Sequence, residues 1–200
     1  METVKLLIAD IDLASAHHHF LLKNISSEQK EKALRYKNEQ DQLRSLLSSY
    51  LVNQLSKEQL LKNDNGKPYY QNGPFFNVSH SGRYVVMAIS NHEIGVDIEE
   101  NIAKNMDMLL KIFNDAEVKM IKEHADFYYL WCAKESLIKC IGSSINKIKE
   151  IPRSRRDPCP SGRCPCGTRR AHVQASHTYA ACSASCSPQS GRRSPAPQTA

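Results

Sequence analysis

Apolar positions in the first 151 residues alternate between strand-like runs and helix-spaced stripes. Residues 4–11 form a short apolar run that reads as a strand, and the three consecutive histidines at 17–19 read as a loop. Ser26 followed by Gln29 has the spacing of a capping box and opens a long helical stretch. Within it Leu43, Leu46, Leu47, Tyr50 and Leu51 recur on one helical face. Asn63, Asp64, Asn65 and Gly66 form a turn, and Pro68 bars a helix directly after it. Strand-like runs follow at 75–78, 84–90 and 94–99. Asn114 with Glu117 repeats the N-cap signature and predicts a helix to about residue 123. A further helix spans 126–141, with Gly142 as its C-cap. The class is α+β, with an α/β-like alternation, and the chain divides into 1–100, 101–151 and 152–200.

Composition sharpens the last boundary. The 200 residues carry a net charge of +6, but residues 1–151 hold 16 Lys and 3 Arg against 20 acids. Residues 152–200 hold 8 Arg against the single acid Asp157, with seven of the nine Pro and five of the seven Cys. The tail contains no Lys, Glu, Leu, Ile or Phe, so little apolar surface offsets the entropy of ordering it, and it is expected to be disordered. A basic tail for an acidic partner, a zinc module of Cys159, Cys164, Cys166, Cys182, Cys186, His172 and His177, and out-of-frame sequence joined to a truncated domain are its three readings. The Cys spacings do not match common zinc modules, and the switch from Lys to Arg favours the third. The basic pI therefore does not make the body a nucleic-acid binder. No apolar run approaches the roughly 18 residues a membrane span needs, and an acidic start with a short apolar run is unlike a signal peptide. A cytoplasmic location is expected.

Three constellations carry chemistry. In Ile94-Gly95-Val96-Asp97-Ile98-Glu99 the apolar residues alternate with Asp97 and Glu99, which share the other strand face. Two carboxylates there suit a hard cation that also takes phosphate oxygens, or form a solvated strand face. Trp131, Glu135 and Lys139 follow at helical spacing, so Glu135 can complete a three-carboxylate set beside a lysine, or form an ordinary ion pair with it. Ser79-His80-Ser81-Gly82, after an apolar run, offers hydroxyls, an imidazole and backbone N–H groups to an anion, and lacks the context of a serine nucleophile.

Taken together in this order, the blocks Gly66-Lys67-Pro68, Phe76 through Gly82, Ile94 through Glu99 and Trp131-x-x-Lys134-Glu135-Ser136-x-x-Lys139 resemble the 4′-phosphopantetheinyl transferases. The likeness is to the larger, pseudo-symmetric kind that activates surfactin synthetase. It covers roughly residues 1–151 and includes the upstream block of Ile25, Ser26, Glu31, Lys32, Tyr36, Asp41 and Arg44.

The resemblance implies a pair of similar subdomains and Mg²⁺-dependent transfer of 4′-phosphopantetheine from coenzyme A to a serine of an acyl- or peptidyl-carrier protein, by a monomer. It implies Asp97, Glu99 and Glu135 as metal ligands. Ser79, His80, Lys134, Lys139 and Lys67 would line the coenzyme A pocket, and Lys32 and Arg44 would reach its 3′-phosphate. Glu135 would be catalytic, with Lys139 or Glu117 helping to deprotonate the serine. The chain departs from the pattern at Gln29 and Ser48, and above all after Ile151, where the strands completing the second half are expected to be missing. An inactive relative that at most binds coenzyme A or a carrier protein is the alternative reading. A metal nuclease ranks lower, because Asn101 stands where its lysine would fall, and nucleic-acid tethering by the tail ranks lower too.

Overall fold

The computed structural model describes residues 4–102, 110–149, 168–175 and 178–185, the last two stretches as backbone. β1 (Lys5–Asp10) and β4 (Phe75–Ser81) flank β5 (Tyr84–Ser90) in an antiparallel sheet of order β1-β5-β4. Asp10 ends β1 and accepts a hydrogen bond from Asp12 N at 3.0 Å, capping α1 (Ile11–Ser15).

The histidine stretch is not a loop. It carries α2 (His18–Lys23), because Leu21 buries against the same core as Leu43 and Leu46. The long helix expected after Ser26 is also interrupted. The Ser26–Gln29 capping box starts α3 (Ser27–Leu34), and the Asn38 side chain then accepts from Gln40 N at 2.8 Å and starts α4 (Glu39–Asn53). The leucine stripe of α4 holds: Leu43, Leu46 and Leu47 are buried with Ile11, Leu21 and Val85. At the Asn63–Gly66 turn, β2 (Leu61–Lys62) and β3 (Pro68–Tyr69) form a two-residue ladder absent from the sequence reading.

β6 (Ile94–Glu100) starts the second half. Ile94, Val96 and Ile98 pack with Val86 and Ala88, while Asp97 is also buried, so neither face of the strand is solvated. The opposite face lies against α6 (His124–Ile141) at backbone distance: a Cβ on Gly95 would stand 2.0 Å from Ser136 O and 2.3 Å from Cys140 N. α5 (Asp115–Val118) is a single turn, shorter than expected. It stops where Lys122 N and Glu123 N turn to the Asp126 carboxylate that begins α6. Gly142, with φ 64°, caps α6 as its sequence position predicts.

The tail needs a correction. β7 (Thr168–Ala175) and β8 (Thr178–Ser185) form an antiparallel pair, and β8 pairs along β6 from Ile94↔Ala184 to Glu100↔Thr178. The expected disorder and the expected loss of the second sheet do not hold for these residues. Backbone pairing to an open strand edge satisfies N–H and C=O groups without large aliphatic side chains. Of the zinc-module residues, Cys159, Cys164, Cys166, His177 and Cys186 lie outside the described residues.

The sheets β1-β5-β4 and β6-β8-β7 meet where β4 runs beside β6. Side chains bridge the two strands: Asn77 Oδ1 accepts from Val96 N at 2.9 Å, Ser79 donates to Asp97 at 2.9 Å, and Ser81 donates to Glu99 at 3.1 Å. Residues 77, 79 and 81 alternate along β4 and so share a face. That seam positions the candidate site.

Candidate active site

Asp97 lies at the centre of the seam and is 2% exposed. Its Oδ1 accepts from Ser79 Oγ at 2.9 Å and from Lys139 Nζ at 2.6 Å, while Oδ2 is buried with no hydrogen-bond partner. Glu99, two residues along, accepts from Ser81 Oγ at 3.1 Å and from the Trp131 indole at 3.3 Å. Glu135 is half-buried on α6, with Lys139 one turn on at 3.6 Å. The face carrying Trp131, Glu135 and Lys139 is thus turned onto the carboxylate face of β6, as the spacing predicts.

The electrostatics follow from this crowding. Burial raises the Glu135 pKa, and the charges of Asp97 and Glu99 add to it against the opposing pull of Lys139. Burial pulls the Lys139 pKa down, but Asp97 and Glu135 outweigh it, and the net shift is upward. Lys139 is therefore a cation at neutral pH and a poor proton acceptor, which weighs against the general-base role considered for it. Burial, then Arg44 and Lys139, lower the His80 pKa below 6.5. The Cys132 thiol, behind Asp97, is pushed well above its ordinary value by burial and by that carboxylate.

Other candidates are placed differently. Lys134 and Glu117 form an ion pair at 2.8 Å with both side chains 0% exposed. Glu117 also accepts from Asn114 N at 3.1 Å as the acid of the α5 capping box. As placed, Lys134 does not reach a phosphate and Glu117 does not reach an incoming hydroxyl, because their charges are sealed in the interior. Lys67 is not among the carboxylates. Its ammonium donates to Glu93 Oε2 at 2.8 Å, Cys140 O at 2.8 Å and Ile94 O at 3.3 Å. Arg44 pairs with Asp41 at 2.7 Å and donates to Gly82 O, at the end of the Ser79–Gly82 run. Lys32 is exposed on α3 and makes no contact with the carboxylates. Sequence reasoning missed the bridging roles of Asn77 and Ser81 and the close approach at Gly95. The alternation of 77, 79 and 81 was the available signal.

Asp97, Glu99 and Glu135 supply the oxygen chemistry of hard-cation ligands. Glu135 feels the charges of Asp97 and Glu99, and Asp97 Oδ2 is a buried oxygen without a hydrogen-bond partner. Among the described residues no group of three or more Asp, Glu, His or Cys side chains is arranged to hold a metal ion. The Lys139 ammonium lies on Asp97 Oδ1.

Comparison with known proteins identifies the family. Residues 14–92 match the N-terminal region of 4′-phosphopantetheinyl transferases, and residues 93–184 match the 4′-phosphopantetheinyl transferase superfamily. The boundary falls just before β6, and the second match includes β7 and all of β8 but its last residue, inside the stretch expected to lie outside the domain. The chain is 33% identical over 154 residues to the 4′-phosphopantetheinyl transferase Sfp of Bacillus subtilis strain 168, covering 68% of this chain and 69% of that protein. It is 35% identical over 142 residues to the 4′-phosphopantetheinyl transferase gsp of Aneurinibacillus migulanus, covering 64% of this chain and 60% of that protein. A further Bacillus subtilis 4′-phosphopantetheinyl transferase is 27% identical over 200 residues. The chain belongs to the 4′-phosphopantetheinyl transferase superfamily. It spans about three fifths of the length of the Aneurinibacillus relative.

Proposed function

We propose that this protein transfers 4′-phosphopantetheine from coenzyme A to a serine hydroxyl of an acyl- or peptidyl-carrier protein, with Mg²⁺ held by Asp97, Glu99 and Glu135. The serine oxygen forms a bond to the phosphorus bearing the pantetheine arm, the diphosphate P–O bond breaks, and 3′,5′-ADP leaves. Bound magnesium would supply charge neutralisation on the diphosphate. The chain's own groups act on the same charge: the Lys139 ammonium stands at the carboxylates, and the His80 imidazole lies in the fields of Arg44 and Lys139. Glu135, half-buried beside Lys139, would act through the metal it helps to hold, and the serine proton leaves as the new P–O bond forms.

The observation that carries the reading is the Asp97–Lys139 contact, flanked by Glu99 and Glu135, at the meeting of the two matched halves. Each half pairs a three-stranded antiparallel sheet with a long helix, which supports a pseudo-two-fold relation between them. A reaction drawing on coenzyme A and a biosynthetic carrier protein would run in the cytoplasm.

Incubating the protein with apo-carrier protein, coenzyme A and Mg²⁺ and weighing the carrier by mass spectrometry tests this. The expected result is a gain of one phosphopantetheine per carrier, lost with EDTA. An unmodified carrier across several acyl- and peptidyl-carrier substrates would overturn it.

A further inference from the structure

Lys67 ties three elements together at one ammonium. Its three protons are directed to Glu93 Oε2 (2.8 Å) just before β6, to Ile94 O (3.3 Å) at the first residue of β6, and to Cys140 O (2.8 Å) in the last turn of α6. The side chain is 14% exposed. The turn that presents it is itself braced: Asn63 Oδ1 accepts from Asn65 N at 3.0 Å and from Lys67 N at 2.8 Å. Asn65 Nδ2 donates to Gly142 O at 2.6 Å, so a second residue of the same turn grips the end of α6. The carbonyls at a helix C-terminus lack intrahelical partners and carry the negative end of the dipole, which makes them natural acceptors for a lysine.

We infer that Lys67 is a positioning residue: it fixes the C-terminal end of α6 on β6 and thereby sets Lys139 and Glu135 against Asp97. Cys140 directly follows Lys139, and Ile94 lies three residues before Asp97, so the clamp acts close to the contact it controls. Gly95 leaves no side chain between the two backbones, so a small shift at Cys140 is carried to the carboxylates rather than absorbed. The clamp also crosses the boundary between the matched halves, from a turn within 14–92 to a strand and helix within 93–184.

The kinetic arm of the test rests on the proposed transferase reading, and the spectroscopic arm does not. Trp131 is the chain's single tryptophan, and its indole bonds to Glu99 across the α6–β6 contact, so its emission reports how α6 is seated. In Lys67→Met, kcat should fall by roughly tenfold to a hundredfold, the size of effect expected from misplacing catalytic groups by about 1 Å. KM for coenzyme A should stay within about twofold, Trp131 emission should shift to the red, and Lys67→Arg should restore most of both. A raised KM with kcat retained would make Lys67 a substrate contact and overturn the inference. So would unchanged Trp131 emission in folded Lys67→Met. If the wild type transfers nothing, the functional reading fails, and Trp131 emission in the Met and Arg variants still decides the clamp. Should Lys67→Met not fold, Asn65→Ala, which removes only the bond to Gly142 O, takes its place: the same changes on a smaller scale support the clamp, and none overturns it.

Discussion

Lys139 Nζ on α6 stands 2.6 Å from Asp97 Oδ1 on β6, and this contact joins the helix that carries Glu135 to the strand that carries Glu99. One cation here compensates a carboxylate that is almost wholly out of water. Lys139→Met should leave Asp97 buried and uncompensated, destabilising the fold by about 3–5 kcal/mol. Added Mg²⁺ should then raise the melting temperature of the variant more than that of the wild type, since a ligand of the folded state alone stabilises it by mass action. Thermal melts with and without Mg²⁺ measure both effects, and an equal response in the two proteins would remove Asp97 from the metal site. Transfer should fall by about 10²–10³, the effect of deleting one preorganised charge partner.

Lys134 and Glu117 make a second, sealed pair. Removing one partner, as in Lys134→Met, should destabilise by about 3–5 kcal/mol, whereas Lys134→Met with Glu117→Leu should recover much of the loss. Chemical denaturation of the single and double variants checks this. At a temperature where the double variant is folded, its KM for coenzyme A should be close to wild type. A large rise in KM would restore these residues to the substrate site.

The contrast between the two pairs shows what the sequence made legible. Helical spacing set Trp131, Glu135 and Lys139 on one face, and strand alternation set Asp97 and Glu99 on another. The fold needed only to turn those faces together. Burial of Glu117 was hidden, because its partner lies on a different helix, and its capping role was the only part with a local signature. The role of Lys67 was hidden for a different reason: two of its three acceptors are backbone carbonyls, which every sequence supplies. The strands at 168–175 and 178–185 were missed on the same ground. They pair through backbone along the edge of β6, and composition alone registers only their lack of aliphatic side chains.

Gly95 offers a steric test of the α6–β6 approach. An alanine Cβ would stand 2.0 Å from Ser136 O and 2.3 Å from Cys140 N, both backbone atoms that cannot rotate away. Gly95→Ala should therefore push α6 off β6, at a cost of about 1–3 kcal/mol or more from overpacking. Trp131 emission should shift to the red with the loss of its Glu99 contact, and transfer should fall more steeply than stability. A wild-type emission spectrum and melting temperature would show that α6 and β6 are farther apart than described.

His80 gives the site a pH dependence with a defined sign. Burial first, then the positive charges of Arg44 and Lys139, hold its pKa below 6.5, so the imidazole is neutral at pH 7. Because the folded value is depressed, this group's contribution to stability is present above about 6.5 and is lost as pH falls through that value toward the folded one. A diphosphate or phosphate arriving among Arg44, Lys139 and His80 reverses the local charge and favours the imidazolium, so binding takes up a proton. Affinity for coenzyme A should therefore increase as pH is lowered from about 7.5 to about 6, by at most about tenfold per unit, the limit for one linked proton. Calorimetric titrations in buffers of different ionisation enthalpy should register the proton uptake directly. In His80→Gln both the uptake and the slope should disappear. An identical slope in the two proteins would place the titrating group elsewhere and take His80 out of the phosphate site.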